Sequence, residues 1–194
     1  MSFREVLSNE FPLTGRQLEL LEHHYELLKK WNRKLNLTRI EDPQSSLRLN
    51  YAESLIVAQS LPGGPLSIAD VGSGPGFPGV PIAIARPECS ISLVESHQRK
   101  AVFLRECSRE IANIEVVADR IENLSRSFDW IVSRAVLPNM ILSLRHSKNF
   151  AILMSERDLP GLPGLKSMLK LPWGNERVLA MFHVEHARID ETSG

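Results

Sequence analysis

The chain has 194 residues, of which 43% are hydrophobic, so it is long enough to bury a core as one compact unit. Its 23 Lys and Arg balance its 23 Asp and Glu. This balance excludes a uniformly basic protein and leaves only local basic patches for contact with an anionic polymer. Two cysteines exclude a disulfide framework, and no stretch is apolar enough for a membrane span. These features predict a cytoplasmic protein without membrane contact.

Residues 1–62 are predicted to form a helical extension. Residues 3–12 read as a short helix that ends at a proline, and Thr14 with Gln17 matches a capping box for the next helix. Apolar residues then recur at helical spacing and define one buried face: Leu18, Leu21, Tyr25, Leu28 and Trp31. Residues 45–61 predict a further helix.

The next stretch has the pattern of a βαβ unit. An apolar run at 66–71 is the right length for a buried parallel strand, and a turn with four glycines follows at 72–79. Residues 80–85 read as a short apolar helix, and 91–94 as a second buried strand that ends in Glu95. Strand, glycine turn, helix, strand and terminal acid indicate a nucleotide-binding unit.

Two ligand classes fit this unit. Residues 74–79 match the dinucleotide fingerprint GxGxxG, and Glu95 stands at the distance of its ribose-binding acid. Asp70, however, would repel a pyrophosphate, and Pro78 and Pro81 remove amide donors that would hold an anion. S-adenosylmethionine (SAM) has no phosphate and carries a positive sulfonium, so an acid beside the turn is acceptable. The Asp-x-Gly-x-Gly-x-Gly pattern at 70–76 resembles the first motif of Rossmann-like SAM methyltransferases, which favours SAM over NAD.

The rest of the chain continues the α/β alternation. A helix with a basic polar side begins at Ser96, and three further strands and a closing hairpin are predicted at 114–118, 128–132, 150–154, and 166–171 with 177–184. The predicted fold is a Rossmann-like class I SAM methyltransferase sheet at residues 63–194, with helices on both faces, preceded by the helical extension.

Several segments together resemble one family. Residues 31–40 read W-N-x-K-x-N-L-T-x-I, residues 70–81 read D-V-G-S-G-P-G-F-P-G-V-P, and residues 133–135 read S-R-A. With the segment containing Arg99, Lys100, Phe103 and Leu104, this order resembles the small-subunit ribosomal RNA guanine-N7 methyltransferases, the glucose-inhibited division protein B (GidB, RsmG) family. The resemblance covers about residues 25–136.

The resemblance implies a SAM-dependent enzyme that methylates guanosine N7 in 16S ribosomal RNA, free or within the small-subunit ribonucleoprotein particle. A monomer is expected separately. Guanine N7 attacks without losing a proton, so no general base is expected. Arg134 is the expected positioning residue. The cofactor-binding residues are then Asp70, Gly72, Gly74, Gly76, Phe77, Glu95, Ile121, Glu122 and Arg134. The RNA-binding residues are Lys30, Arg33, Lys34, Arg39, Arg99 and Lys100, although a solvated basic helix face explains these equally well.

Three features depart from the family. Asn50 and Glu53 stand where the family has histidine and aspartate, and residues 155–157 lack its lysine. These departures leave open a non-catalytic or degenerate SAM- or RNA-binding relative, and a SAM methyltransferase with a small-molecule or protein substrate is a further alternative. His183 and His186 lack a helical metal-binding pattern, so no metal site is predicted.

Overall fold

The computed structural model describes residues 3–39, 42–174 and 176–186. Its helices are α1 (Phe3–Glu10), α2 (Gly15–Leu35), α3 (Pro43–Ser46), a π-helical turn (Leu47–Ala52), α4 (Glu53–Ser60), α5 (Gly79–Ala85), α6 (Gln98–Cys107) and α7 (Pro138–Leu142). Its strands are β1 (Ser67–Val71), β2 (Ser90–Val94), β3 (Ile114–Val117), β4 (Trp130–Arg134), β5 (Asn149–Ser155), β6 (Leu165–Lys170) and β7 (Arg177–His183). Three parts of the predictions lie outside the described residues: Ile40 of the W-N motif, Asn175 of the hairpin connection and residues 187–194.

The described strands form a seven-stranded sheet in the order β3-β2-β1-β4-β5-β7-β6. β1 to β5 are parallel, and β7 runs antiparallel to both of its neighbours. After β1 the chain adds β2 and β3 on one side of β1, and it then adds β4 on the other side. β1 and β4 therefore flank a topological switch point, where open α/β sheets bind ligands. The predicted Rossmann-like class I fold is confirmed, and so is the closing hairpin.

The N-terminal helices pack against the core. The predicted capping box at Thr14 is present, and α2 buries Leu21, His24 and Leu28. Trp31 meets Phe103 of α6 edge to face, with 5.8 Å between the ring centroids. One hydrophobic cluster joins residues of α1, α2 and α4 to residues of β1, α5 and α6. None of the described helices is both long and apolar enough to cross a membrane.

The prediction of one continuous helix at 45–61 is wrong, because this segment contains a π-helical turn. The helical segment begins at Pro43, and Leu47–Ala52 forms a π-helical turn between α3 and α4. The backbone carbonyl of Leu49, within that turn, accepts a 2.7 Å hydrogen bond from Nη1 of Arg134 on β4. Such π turns insert a residue into a helix and often occur at functional sites. Here the turn brings a helix carbonyl to the end of a strand.

His24 connects the helical extension to the glycine turn. It is fully buried, its Nε2 lies 2.9 Å from the carbonyl of Pro75, and its Nδ1 lies 2.7 Å from the hydroxyl of Tyr51. Burial lowers the pKa of His24 to about 4, so the ring is neutral at pH 7. A carbonyl only accepts, which places the ring proton on Nε2. Nδ1 therefore accepts from the Tyr51 hydroxyl.

Replacing Tyr51 with Phe tests this connection. Tyr51→Phe removes the donor and leaves Nδ1 of His24 buried without a partner, which costs about 1–3 kcal/mol. We expect the free energy of unfolding in urea to fall by that amount. Tyr25→Phe is the matched control, because Tyr25 belongs to the same aromatic cluster, with 6.1 Å between the centroids of its ring and that of Tyr51. Equal stability of the two variants would contradict the assigned bond.

Candidate cofactor and substrate site

A cavity of about 890 Å³ opens at the switch point of the sheet. Its wall includes Gly72 and Gly74 after β1, Glu95 after β2 and Arg134 at the end of β4. Other wall residues follow α2, lie in β5 or β7, or lie in the short 3₁₀ helix after β5: Leu37, Thr38, Arg39, Leu153, Met154, Ser155, Asp158 and Arg177. This volume is near the upper end of the range for small-molecule sites, so the cavity has room for more than one ligand.

The buried carboxylate of Asp70 fixes the shape of the glycine turn. Asp70 is fully buried, and its Oδ2 accepts a 2.9 Å hydrogen bond from the backbone amide of Gly79. A Cβ at position 79 would lie 2.6 Å from that same oxygen and 2.3 Å from Leu93, so only glycine fits. The other oxygen, Oδ1, is buried and has no partner among the described residues. Burial raises the pKa of Asp70 to about 7, although the Gly79 hydrogen bond opposes the shift.

The turn offers no free backbone amide between residues 72 and 80. Each amide there has an acceptor within the protein: Gly72 and Ser73 donate to Val94, Gly74 to Glu95, Gly76 and Phe77 to Ser73, Gly79 to Asp70 and Val80 to Gly76. The two remaining residues, Pro75 and Pro78, have no amide proton. Phosphate-binding turns require converging free N–H groups. The geometry therefore disfavours a pyrophosphate, for a reason other than the expected repulsion by Asp70.

The carboxylate of Glu95 lies beside the glycine turn and binds it. Its Oε2 accepts from the amide of Gly74 at 2.9 Å, and its Oε1 accepts from the amide of His97 at 2.8 Å. The residue is 7% exposed and lines the cavity. Because an ionised carboxylate has about four acceptor positions, each oxygen keeps capacity for a second donor. Glu95 can therefore accept hydroxyl groups of a ligand while it holds the turn.

Arg134 is held at the floor of the cavity. Its Nη1 donates to the Leu49 carbonyl and to Oδ1 of Asn50, both at 2.7 Å, and its guanidinium carbon lies 5.2 Å from the centroid of the Phe77 ring. Burial lowers the pKa of Arg134 to about 10, opposed chiefly by the carboxylate of Glu53. The side chain remains cationic at neutral pH and lies between the turn and the far wall.

The structure divides the expected cofactor residues into two groups. Gly72, Gly74, Phe77, Glu95 and Arg134 share the wall of the cavity. The other four are not among the wall residues: Asp70 lies buried at the end of β1, Gly76 lies within the turn, and buried Ile121 and exposed Glu122 lie in the short 3₁₀ helix after β3. For Asp70, the geometry supports a role in orienting the turn rather than the expected contact with a cofactor.

The six expected RNA-binding residues lie at different places on the surface. Arg39 and Lys100 line the large cavity, and Arg33 lines a separate pocket of about 230 Å³. Lys30, Lys34 and Arg99 are exposed on α2 and α6. None of the six forms an ion pair with another described residue. Their charge is therefore available to an anionic partner.

Sequence reasoning missed the buried polar network behind Arg134. Asn50 holds Arg134, and Glu53 is fully buried and binds Arg177 with both oxygens, at 2.7 and 2.5 Å. Burial raises the pKa of Glu53, and Arg177 opposes the shift. Positions 50 and 53 were noted only as departures from the family pattern. The sequence around Arg177 does not indicate that this residue lies at the site, because it reaches the cavity only through the pairing of β7 with β5.

The described residues contain no group of three or more His, Cys, Asp or Glu side chains placed to hold a metal ion. His183 instead contacts two neighbours: its Nδ1 lies 2.8 Å from Asn149, and its Nε2 lies 3.0 Å from Glu185.

Replacing Asp70 with Asn tests the cost of burying the carboxyl group. Unfolded aspartate ionises near pH 3.8 and folded Asp70 near pH 7, so ionisation increasingly favours the unfolded wild type as the pH rises between these values. Asparagine cannot ionise and keeps an oxygen for Gly79. Relative to wild type, Asp70→Asn should therefore gain about 2–3 kcal/mol of stability between about pH 5 and about pH 8.

Urea unfolding at both pH values measures this gain. Asp119→Asn is the control, because the carboxyl of Asp119 is exposed and the Arg120 amide lowers its pKa. A stability difference for Asp70→Asn that does not change with pH would contradict the assignment.

Two solved methyltransferase structures have a fold similar to that of this chain. The ribosomal protein L11 methylase of Lactobacillus delbrueckii subsp. bulgaricus superposes with a TM-score of 0.56 at 15% identity, covering 75% of this chain and 81% of that one. A SAM-dependent methyltransferase of Aquifex aeolicus superposes with a TM-score of 0.55 at 14% identity, covering 76% and 97%. At this level of identity the similarity establishes the fold alone.

Closer similarity comes from curated sequences named ribosomal RNA small subunit methyltransferase G. The protein of Dichelobacter nodosus is 44% identical over 137 residues, which cover 69% of this chain and 64% of that protein. The protein of Nitrosospira multiformis is 42% identical over 125 residues, covering 62% and 56%. The chain thus spans less than two thirds of the length of these relatives. The GidB family model, described as rRNA small subunit methyltransferase G, matches residues 17–150. Because this match covers more than half of the sequence, the chain belongs to the GidB family.

Proposed function

We propose that this protein is a SAM-dependent methyltransferase that methylates N7 of a guanosine in 16S ribosomal RNA. The observation that carries the proposal is the glycine turn. Its amides are satisfied internally, and Glu95 stands at its mouth beside a large cavity in a chain of the GidB family.

The residues of the turn fit SAM. SAM carries hydroxyl groups and a sulfonium but no phosphate, and the turn offers a carboxylate and closed backbone rather than free amides. Glu95 would accept the ribose hydroxyls, and Gly72, Gly74 and Phe77 would form the wall beside the cofactor. Ile121 and Glu122 would contact the adenine. Asp70 would hold the turn through the Gly79 amide, and Gly76 would stabilise it from within through its bonds to Ser73 and Val80.

Methylation at N7 requires positioning rather than proton removal. When bound, SAM supplies an electrophilic methyl group, and the N7 lone pair forms the new bond as the carbon–sulfur bond breaks and leaves its electron pair on sulfur. N7 is a neutral ring nitrogen that carries no proton, so the protein needs no general base at this step. Its contribution is to hold the base in line with the methyl group. Arg134, fixed by Leu49 and Asn50 at the cavity floor, would position one of the two reactants.

RNA contact would rest on the six cations that form no ion pair with another described residue. Arg39 and Lys100 lie at the cavity, and Lys30, Arg33, Lys34 and Arg99 extend the positive surface along α2 and α6. The chain as a whole is neutral and so has little non-specific attraction for RNA. We therefore expect a monomer in the cytoplasm that recognises 16S ribosomal RNA within the small-subunit particle.

The experiment that tests the function compares ribosomal RNA from cells with and without this protein. Mass-spectrometric mapping should find one 7-methylguanosine in 16S RNA that is absent without the protein, and labelled SAM should bind the purified chain. SAM binding without any change in ribosomal RNA would favour a methyltransferase with another substrate. Absence of SAM binding would favour a non-catalytic relative.

Replacing Glu95 with Ala tests the cofactor site. The substitution removes the acceptor for the ribose hydroxyls, so we expect SAM binding measured by calorimetry to weaken by about 1–3 kcal/mol, the usual loss for a charge-assisted hydrogen bond. Glu115→Ala is the control, because Glu115 lies on β3 and pairs with Arg126 at the surface. An unchanged dissociation constant in Glu95→Ala would exclude this residue from the cofactor site.

Replacing Arg134 with Lys tests the positioning role. Lysine keeps the charge but loses the planar fork that lets one group contact Leu49, Asn50 and a ligand together. Arg134→Lys should fold normally, with the same free energy of unfolding in urea as the wild type, yet lose most methyl transfer to small-subunit particles. Arg126→Lys is matched, because the guanidinium of Arg126 also lies 5.2 Å from a phenylalanine ring but outside the cavity. Full activity of Arg134→Lys would contradict the positioning role and indicate that Arg134 only stabilises the fold.

A further inference from the structure

The far end of the cavity is built by the C-terminal hairpin, beyond the residues that the family model matches. Arg177 opens β7 and pairs in register with Ser155, the last residue of β5. Asp158 follows in the short 3₁₀ helix after β5. All three side chains line the cavity, and all three lie after residue 150.

Sheet order separates this end from the glycine turn. Glu95 and the turn lie over β2 and β1, β4 carries Arg134 in the middle, and β5 with β7 lies on the other side. Neighbouring strands are about 4.8 Å apart, so Arg177 begins a strand about 14 Å from β1. A cofactor held by Glu95 and the turn therefore leaves this end of the cavity for the second reactant.

Arg177 is held rigidly with donors to spare. Its Nε and Nη2 donate to the two oxygens of Glu53, which is fully buried and itself anchored in α4. The side chain of Arg177 is 28% exposed and lines the cavity. An arginine has five N–H donors, and those not given to Glu53 have no other acceptor among the described residues. Arg177 is thus a fixed donor at the cavity wall.

Asp158 supplies the complementary acceptor. Its carboxylate is exposed and forms no hydrogen bond or ion pair with any described side chain, Arg177 included. The neighbouring acid, Glu156, pairs instead with Lys170 on β6 at 3.1 Å. The wall at this end of the cavity therefore includes a cation and an anion that form no ion pair with each other.

From this pair of charges, and resting on the proposed function, we infer that Asp158 and Arg177 recognise the Watson–Crick edge of the target guanine. That edge has two adjacent donors, N1–H and the 2-amino group, and beside them the acceptor O6. A carboxylate accepts both donors, and a guanidinium N–H reaches O6. Enzymes that modify a base commonly read it by this edge once it is unstacked.

This assignment leaves the reacting atom free. The usual arginine contact to guanine uses O6 together with N7, which would block the methyl acceptor. When Asp158 holds N1 and the 2-amino group, Arg177 needs only O6, and N7 points away from both residues. A phosphate at this position is disfavoured, because Asp158 would repel it. Adenine presents an unprotonated N1 to the same carboxylate, so it is rejected as well.

Inosine provides a direct test, because it is guanosine without the 2-amino group. Small-subunit particles are reconstituted with either guanosine or inosine at the mapped target nucleotide, and methyl transfer is measured for wild type, Asp158→Asn and Glu156→Gln. Glu156→Gln is matched, because it neutralises a carboxylate in the same short helix that does not line the cavity.

We expect the wild type and Glu156→Gln to methylate guanosine particles at similar rates and to lose at least about 10-fold on inosine, the loss of one charge-assisted hydrogen bond. Asp158→Asn should be slowed at least about 10-fold on guanosine. The inosine penalty is the ratio of the rate on guanosine particles to the rate on inosine particles. For Asp158→Asn this ratio should be at least about 5-fold smaller than for wild type, because it then reports only the lower intrinsic reactivity of inosine. SAM affinity should be unchanged in both variants.

Either of two results would overturn the inference: a wild-type rate of Asp158→Asn on guanosine, or an inosine penalty as large as that of wild type. Failure of the proposed function gives a different result, because wild type would then leave both particles unmethylated.

A variant that tests Arg177 must not leave the buried carboxylate of Glu53 without a partner. The double variant Glu53→Gln/Arg177→Gln replaces both charges and keeps a hydrogen-bonding pair. It should bind SAM as wild type does and lose at least about 10-fold in methyl transfer on guanosine. The single variant Glu53→Gln keeps the guanidinium at the cavity and should retain more activity than the double variant. Equal activity of wild type and double variant would remove Arg177 from the recognition site.

Discussion

The hydrogen bond from the Gly79 amide to the buried carboxylate of Asp70 is the constraint on which the site depends. It joins the end of β1 to the start of α5, and it requires glycine at position 79, because a Cβ there would collide with the carboxylate and with Leu93. Each amide in the turn between these two points has an acceptor, either within the turn or on Asp70, Val94 or Glu95. A turn of this kind presents a closed wall and the Glu95 carboxylate to a ligand, and so suits a cofactor without phosphate. The cost is a desolvated acid at neutral pH, and such costs are common where function opposes stability.

A second set of buried charges ties distant parts of the chain together over the sheet. Arg134 at the end of β4 is held by the π-helical turn, and Glu53, one turn further along the helix, holds Arg177 at the start of β7. Isolated buried charges are costly, but here each has an opposite charge or a polar partner within hydrogen-bond distance. The N-terminal helical segment and the C-terminal hairpin are therefore positioned by the same network that lines the cavity. His24 adds a third connection, from α2 to the glycine turn.

The cavity combines these elements into two halves with different chemistry. The half over β1 and β2 offers a carboxylate and closed backbone, and the half over β5 and β7 offers a fixed guanidinium and an unpaired carboxylate. Arg39 and Lys100 stand at the same cavity, and Lys30, Arg33, Lys34 and Arg99 form no ion pair with another described residue. A neutral chain can thus present a local positive surface, because some of its acidic residues are buried away from these cations, as Glu53 and Asp70 are.

The sequence by itself determined the elements whose signals are local. The apolar run of β1, the glycines after it, the acid that ends β2 and the capping box of α2 are all spaced by backbone geometry within one or two elements, so their positions could be predicted. Tertiary structure decided the rest. Asp70 reads as a ligand-side acid in the sequence, yet it lies behind the turn, because the direction of a side chain at a strand end depends on what packs on each face of the sheet. The π-helical turn at 47–52 forms where Arg134, more than 80 residues later, meets the carbonyl of Leu49. Arg177 reaches the cavity only because β7 pairs with β5 in one particular register, and such long-range pairing leaves no periodicity in the local sequence.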